Sequence, residues 1–248
     1  MKTAPPPTKP GTTRLSDVAR HVVKPSGITS TGWPQVRETC RTKLGVVFDE
    51  WQEGAGRLIL AKRADGHLAA MIGGAGMSLP RQVGKTYLLS GMVFGLCIDS
   101  PGLLVIWSAH HARTHAETFL SMQAFAGRIK VKPYIDRVYT GSGDEEIRFM
   151  NGSRILFGAR ERGFGRGIPG VDILVMDEPS SNLDPRGRRR LIGLLKSFEH
   201  TKIIAAHDLD LVLEVCQRAL VLDGGRIVAD GPAEEILSDA ELMEAHGL

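Results

Sequence analysis

Residues 79 to 86 read Leu-Pro-Arg-Gln-Val-Gly-Lys-Thr, the segment of this 248-residue sequence whose chemistry is easiest to state. A glycine followed by lysine and a hydroxyl residue is the closing half of the phosphate-binding pattern G-x-x-x-x-G-K-[ST]. Gly84 would let the backbone approach an anion closely. Lys85 would reach the β- and γ-phosphates of ATP, and the Thr86 hydroxyl would ligate Mg²⁺. Leu79 stands where the first glycine belongs, so the cradle falls to Pro80, Arg81, Gln82 and Val83, with the N–H groups of the non-proline members facing the phosphates. Arg81 reads in two ways. It is either a solvated loop arginine or an arginine acting in cis on charge that develops on the transferring phosphoryl group.

A second chemical signal lies about 90 residues downstream. The run Val-Asp-Ile-Leu-Val-Met ends in Asp177-Glu178. A carboxylate at the C-terminal end of a buried strand can hold Mg²⁺, directly or through water. Its neighbour points to the other side and can orient or deprotonate an attacking water. Asp177 is therefore the candidate metal ligand and Glu178 the candidate base.

These groups need elements to place them. The segment 69–79 reads as a buried strand that feeds the loop, and a helix follows from Thr86. A strand at 103–109 and a helix at 114–129 continue the alternation. Residues 137–160 alternate polar and apolar and contain Asn151-Gly152, which predicts a hairpin with a two-residue type I′ turn. Residues 171–176 form a continuous apolar run, as for a central parallel strand covered on both faces. Beyond it come a helix from Asp184, a strand at 201–207, a helix at 209–217, a hairpin turning at Gly224-Gly225 and one or two short C-terminal helices. Alternating strands and helices imply an α/β fold: a mostly parallel sheet with helices on both faces, plus hairpins.

Composition sets outer bounds. Hydrophobic residues make up 42% and charged residues 24% of the chain, as in a globular protein. No apolar run reaches the ~20 residues a membrane-spanning helix needs, and the first residues lack a signal-type apolar core, so a cytoplasmic protein is expected. Cys40, Cys97 and Cys216 lie far apart without metal-ligand spacing and read as buried free thiols. Residues 1–32, rich in Pro, Thr, Ser and Gly with five Lys/Arg against one acid, read as a mobile basic arm. Residues 1–176 carry a net +9 and residues 177–248 a net −6. A basic front suits a polyanion such as double-stranded DNA, or is simply a solvated face.

Two family resemblances overlap on this chain. From about Gly32 to Glu178 it resembles the ATPase domain of phage terminase large subunits, through FDEWQEGAGRLILAKRADG, SLPRQVGKT, LLVIWSAHHARTHAETF, NGSRILFGARERGFGRG and VDILVMDE. The resemblance implies a P-loop NTPase fold of RecA/ASCE type, a loop arginine at Arg81, and an aromatic-Gln adenine element at Trp51-Gln52. It also implies double-stranded DNA, a portal or a small terminase subunit as partners. From about residue 171 onward, LVMDEPSSNLD, TKIIAAHDLDLVLEV and GGRIVADGP resemble the back half of an ABC-transporter ATPase. That resemblance implies a γ-phosphate switch at His207, an acid in a dimer-facing loop at Asp184, a homo-oligomer and a membrane permease partner. Two features of such ATPases are missing: a GxSGSGKST loop and an LSGGQ segment ahead of the acidic strand, where GARERGFGRGIPG stands instead.

The two resemblances meet at the acidic strand. Together they imply a chimaeric chain: a front half at 33–178 and a back half at 179–248 that completes the same domain. Voids or overpacking are expected across that seam, at ~1–3 kcal/mol each. The functions implied are an ATP-hydrolysing, DNA-packaging type motor without a nuclease domain, the ATP-binding subunit of an ABC-type transporter, or a nucleotide-binding fusion without turnover.

Overall fold

The computed structural model describes residues 21–22, 27–69, 75–78, 84–109, 112–141, 145–159, 170–177, 179–180, 183–198, 201–206, 208–223 and 226–246. The elements run β1 (His21–Val22), β2 (Ile28–Thr31), α1 (Trp33–Thr39), α2 (Glu50–Ile59), β3 (Ala61–Arg63), β4 (Ala75–Ser78), α3 (Lys85–Asp99), β5 (Leu104–Ala109) and α4 (Ala112–Ala126). They continue with β6 (Ile135–Tyr139), β7 (Glu146–Phe149), β8 (Arg154–Ala159), β9 (Ile173–Asp177), α5 (Pro185–Ser197), β10 (Thr201–Ala205) and α6 (Leu209–Val215). The chain closes with β11 (Arg218–Asp223), β12 (Arg226–Pro232), α7 (Ala233–Leu237) and α8 (Ala240–Ala245).

One ten-stranded sheet has the order β1-β12-β11-β4-β10-β9-β5-β8-β7-β6. Its centre, from β11 to β8, is parallel throughout. The antiparallel pairings are β11 with β12 on one side and β8-β7-β6 on the other. The expected α/β architecture is thus present.

Strand β9 shows why the apolar run at 173–176 had to be central. Ile173 and Val175 pack into one core with Leu88, Met92, Phe94 and Phe119 of α3 and α4. Leu174 and Met176 pack into another with Leu191, Leu195, Leu211 and Val212 of α5 and α6. Side chains alternate across a strand, so a strand with helices on both faces must be apolar at every position.

Several expectations need correction. Within 1–32, Ile28–Thr31 is a strand paired with Ala61–Arg63, not part of an arm, and His21–Val22 pairs with β12. Its β-branched residues favour the pleated backbone. The Thr31 hydroxyl also fastens it to the carbonyls of Arg57 and Leu60 at 2.9 and 3.1 Å. The β7–β8 hairpin forms, but its loop is longer than the two residues expected. Gly152 takes a left-handed φ of 86° and its N–H bonds Phe149 O at 3.0 Å. Asn151 is drawn elsewhere: its amide donates to Cys97 O at 2.9 Å and to Ile98 O at 3.3 Å, closing the C-terminus of α3. The turn at Gly224-Gly225 lies outside the described residues. Cys40, Cys97 and Cys216 are free and buried. Burial pushes the Cys40 and Cys216 thiols up to about 12, which makes them poor nucleophiles.

Back-half residues enter the front-half core directly, since Ile203, Leu220 and Ile227 belong to the cluster built around α3. A buried ion pair adds to this join. Arg218 Nε and Nη2 donate to Asp230 Oδ1 and Oδ2, both at 2.8 Å, and Arg218 Nη1 donates to Leu58 O at 3.1 Å. The Asp230 side chain is fully buried and that of Arg218 is 9% exposed. Leu58 lies near the C-terminal end of α2, so the guanidinium ties the β11–β12 hairpin to that helix. Arg218→Ala strands a buried carboxylate and is expected to cost about 3–5 kcal/mol. A double variant Arg218→Met, Asp230→Leu is expected to recover most of that. Urea-unfolding midpoints check both, and a single variant as stable as wild type rules the tie out.

A second polar cluster joins α5 to α6. Arg188 donates to Asp208 Oδ2 and Oδ1, both at 3.2 Å, and to Glu214 Oε1 at 3.0 Å. Asp208 also caps α6 by accepting from Leu211 N at 2.9 Å. Burial pushes the Asp208 carboxyl up, but hydrogen bonds from Arg188, the Leu211 N–H and the Ser180 hydroxyl outweigh it, and the carboxyl sits below the ordinary value of 3.8. A depressed folded value means stability that is present above about pH 3.8 and is lost as pH falls through the lower folded value. Asp208→Asn keeps the cap and loses the charge pairing. It is expected to cost about 1 kcal/mol at neutral pH, since the pair is half-exposed. That gap between variant and wild type should close in acid, as followed by melting temperature against pH.

Candidate functional site

In a parallel sheet all strand C-termini reach the same end, where ligands of open α/β sheets collect. Register brings the relevant strands level at that end. Ala205 of β10 pairs with Met77 of β4 on one side and with Asp177 of β9 on the other. Asp177 in turn pairs with Ala109 of β5. The strand feeding the phosphate loop and the strand ending in Asp177 are thus separated by one strand, about 10 Å at the usual spacing.

Helix α3 follows β4 in the chain, with Gly84 as its N-cap at φ 89° and ψ 21°. This left-handed backbone is open to glycine at little cost and strains any residue with a side chain. Lys85 and Thr86 form the first turn, both partly exposed. The helix dipole makes such a turn favourable for an anion. The Thr86 hydroxyl and the Asp177 carboxylate are hard oxygen donors, the chemistry that suits Mg²⁺.

The Trp51-Gln52 element lies against the same turn. Gln52 Nε2 donates to Gly84 O at 3.1 Å, and Gln52 Oε1 accepts from Asp49 N at 2.9 Å. A Cβ on Gly84 would meet Gln52 Nε2 at 2.9 Å and the Trp51 ring at 4.0 Å. Gln52 is 3% exposed and Trp51 is 7% exposed. Asp49 is the N-cap of α2, which explains why helical spacing in the sequence breaks at FDEWQ. The other end of α2 is held from below: a Cβ on Gly56 would run into the Trp33 ring, and Trp33 Nε1 donates to Glu53 Oε2 at 2.8 Å.

The expected site residues are therefore distributed as follows. Gly84, Lys85 and Thr86 open α3, Trp51 and Gln52 back that opening, and Asp177 ends β9 two strands from β4. Pro80, Arg81, Gln82, Val83, Glu178 and His207 lie outside the described residues, as do residues 160–169. Asp184 caps α5, with its Oδ1 accepting from Gly187 N at 2.7 Å. Sequence reasoning missed Arg218, which ties α2 to the back half. A signal was there to find: Leu220 pairs with Asp230 in the hairpin, so Arg218 stands diagonally across from that acid on the same face.

Comparison with known proteins gives one kind of relative by sequence and another by fold. No family model matches the chain. It is 43% identical over 122 residues to an ABC transporter ATP-binding protein of Gloeobacter violaceus, a match covering 48% of each chain. The chain thus spans about half the length of the curated relatives it matches. Among solved structures it is similar to the bacteriophage HK97 large terminase, with a TM-score of 0.54 and 14% identity over 71% of this chain and 38% of that one. It is also similar to the large-terminase ATPase domain of a Thermus phage, with a TM-score of 0.50 and 14% identity over 67% of each. At such identity the likeness is one of fold. The chain has the mixed α/β fold of P-loop ATPases, with a mostly parallel central sheet.

Proposed function

We propose that this chain is an Mg²⁺-dependent ATP hydrolase whose back half is of the ABC-transporter ATP-binding kind. The observation that carries the reading is the register that sets β4, β10 and β9 level, with α3 opening at Gly84-Lys85-Thr86 beside them. Lys85 binds the β- and γ-phosphates. Thr86 and Asp177 hold Mg²⁺, which offsets phosphate charge when bound. Glu178 orients the attacking water, Arg81 stabilises the transferring phosphoryl group in cis, and His207 senses the γ-phosphate. The identity to ABC transporter ATP-binding proteins supports a membrane permease as partner and a homodimer as the working unit. The LSGGQ segment through which such dimers close is missing ahead of Val171, so dimerisation is the part of this reading most open to test.

A second reading is favoured by the front half. The terminase-like motifs at 32–178, together with the fold likeness to terminase ATPase domains, support a DNA-packaging type motor acting on double-stranded DNA with a portal or small terminase subunit. A chimaeric origin accounts for both sets of motifs, with the acidic strand common to the two parents.

Phosphate release from ATP tests the shared chemistry. Lys85→Ala is expected to lower the rate by about a hundredfold or more. Gly84→Ala should do nearly the same, because its Cβ meets Gln52 Nε2 at 2.9 Å and a side chain strains the backbone at φ 89°. Equal phosphate release from wild type and Lys85→Ala would leave only a nucleotide-binding fusion without turnover. Between the finer readings, ATP-dependent dimerisation of Glu178→Gln on size-exclusion chromatography supports the transporter kind. A monomer whose hydrolysis rises with double-stranded DNA supports the motor.

A further inference from the structure

Among the described strands, β6 ends the sheet and has β7 as its one neighbour. The register tells which of its backbone groups are left over. Phe149 N–H donates to Ser153 O and Phe157 N–H donates to Glu145 O, both at 2.9 Å, so Phe149 and Glu145 face β8. Successive residues of an antiparallel strand bond to alternate sides, so Glu146 and Arg148 face β6. Their partners there are Tyr139 and Arg137. Val138, between those two, therefore turns its N–H and C=O away from β7, to the outer edge.

A groove of about 370 Å³ lies along that edge, between residues 135–138 with Lys132 on one side and Gln123, Ala126 and Gly127 at the end of α4 on the other. Four consecutive strand residues look alternately to both sides of the sheet, so a cavity they share follows the strand's edge. Ile135 and Val138 pack toward the core that α4 covers and give the groove its apolar part. Leu120, on the same face of α4 as Gln123, is exposed.

The other face of the same strand carries a row of arginines. Arg137 pairs in register with Arg148, and Arg148 with Arg154. Like charges directly opposite each other on neighbouring strands repel. Glu146 answers two of them: it accepts from Arg148 Nε and Nη2 at 2.8 and 3.1 Å and lies 3.7 Å from Arg154 Nη1. Among the described residues no carboxylate pairs with Arg137, whose guanidinium lies 5.4 Å from the centre of the Tyr139 ring. Residues 128–137 carry four Lys/Arg against one acid, Asp136.

We propose that β6 is a docking edge for an extended acidic peptide segment of a partner, which adds to the sheet as one more strand. Its main chain pairs with Val138. Its side chains then divide between the two faces. A carboxylate opposite Arg137 continues the arginine row, and an apolar residue opposite Val138 enters the groove. A second copy of this chain would set one basic edge against another, which repels. A nucleic acid has no strand backbone to offer Val138. None of these residues belongs to the nucleotide site proposed above, so the two readings are independent.

The test is titration of the full chain with a fluorescein-labelled peptide of about six residues, a usual strand length, alternating Glu and Val. Saturable binding is expected, followed by fluorescence anisotropy. The N–H groups of the Val residues face β6 in this pairing, and those of the Glu residues face away. N-methylation of the Val residues is therefore expected to weaken binding by about tenfold or more, and N-methylation of the Glu residues much less, at identical charge. Arg137→Gln, at an exposed position, is expected to weaken the unmodified peptide about tenfold through the loss of one charge-assisted pair. Equal binding of the two N-methylated peptides makes the contact ionic without strand addition and overturns the proposal. Binding indifferent to Arg137→Gln, or absent altogether, overturns it as well. So does a DNA oligonucleotide that binds through Arg137 where the peptide does not, which gives the row to nucleic acid, or a chain dimer that excludes the peptide, which gives the edge to a second copy.

Discussion

The level register of four parallel strands is the constraint on which the rest of the site depends. Met77, Ala205, Asp177 and Ala109 form one row across the sheet, so the C-terminal end of β4 and the acid at the end of β9 lie at the same edge. A shift of one residue in β10 would turn every side chain of that strand to the opposite face. All five residues of β10 are buried, and both faces of the sheet are covered by helices, so no such shift is tolerated. The chemistry thus inherits its geometry from apolar packing, with little contribution from the polar residues that would perform it.

The strand that sets this register comes from the back half. β10 lies between the two strands that carry the phosphate loop and the acidic pair, and β11 flanks β4 on its other side. Neither half could present the site alone, because without β10 and β11 the strand β4 would lose its neighbours on both sides. The expectation of loose packing across the seam meets a shared core that includes Ile203, Leu220 and Ile227. Within the back half, Lys202 Nζ leaves buried β10 to cap the end of α5, donating to Leu195 O at 2.9 Å and Phe198 O at 2.8 Å. Burial lowers the Lys202 ammonium from its ordinary value.

Much of the fold was legible because its elements are periodic and long. An apolar run marked β9, the alternation of strands and helices placed β5 and β10, and the apolar spacing of 114–129 marked α4. Legibility failed where a residue answers to a distant partner. Asn151 was read as half of a tight turn, yet its amide belongs to the carbonyls that end α3. Ile28–Thr31 was read by its Gly- and Ser-rich surroundings as an arm, yet β3, some thirty residues on, gives it a partner. Of the site, the order Gly84-Lys85-Thr86 and the placement of Asp177 at a strand end are local properties and were readable. Contacts between Gln52 and Gly84, or between Arg218 and Leu58, depend on how α2 lies under the sheet edge. No spacing in the sequence encodes that.

The same distinction bears on what α2 does. A helix with Gln52 at one end on the N-cap of α3 and Leu58 at the other on the β11–β12 hairpin is a rigid connection between them. Ten helical residues rise about 15 Å, enough to pass a small displacement from one end to the other without bending. The hairpin end is anchored by a pair with almost no access to water, Arg218 with Asp230, while the site end is held by neutral amide contacts. Charge-assisted bonds are about twice as strong as neutral ones, so the compliant end of the connection is the one at Gly84.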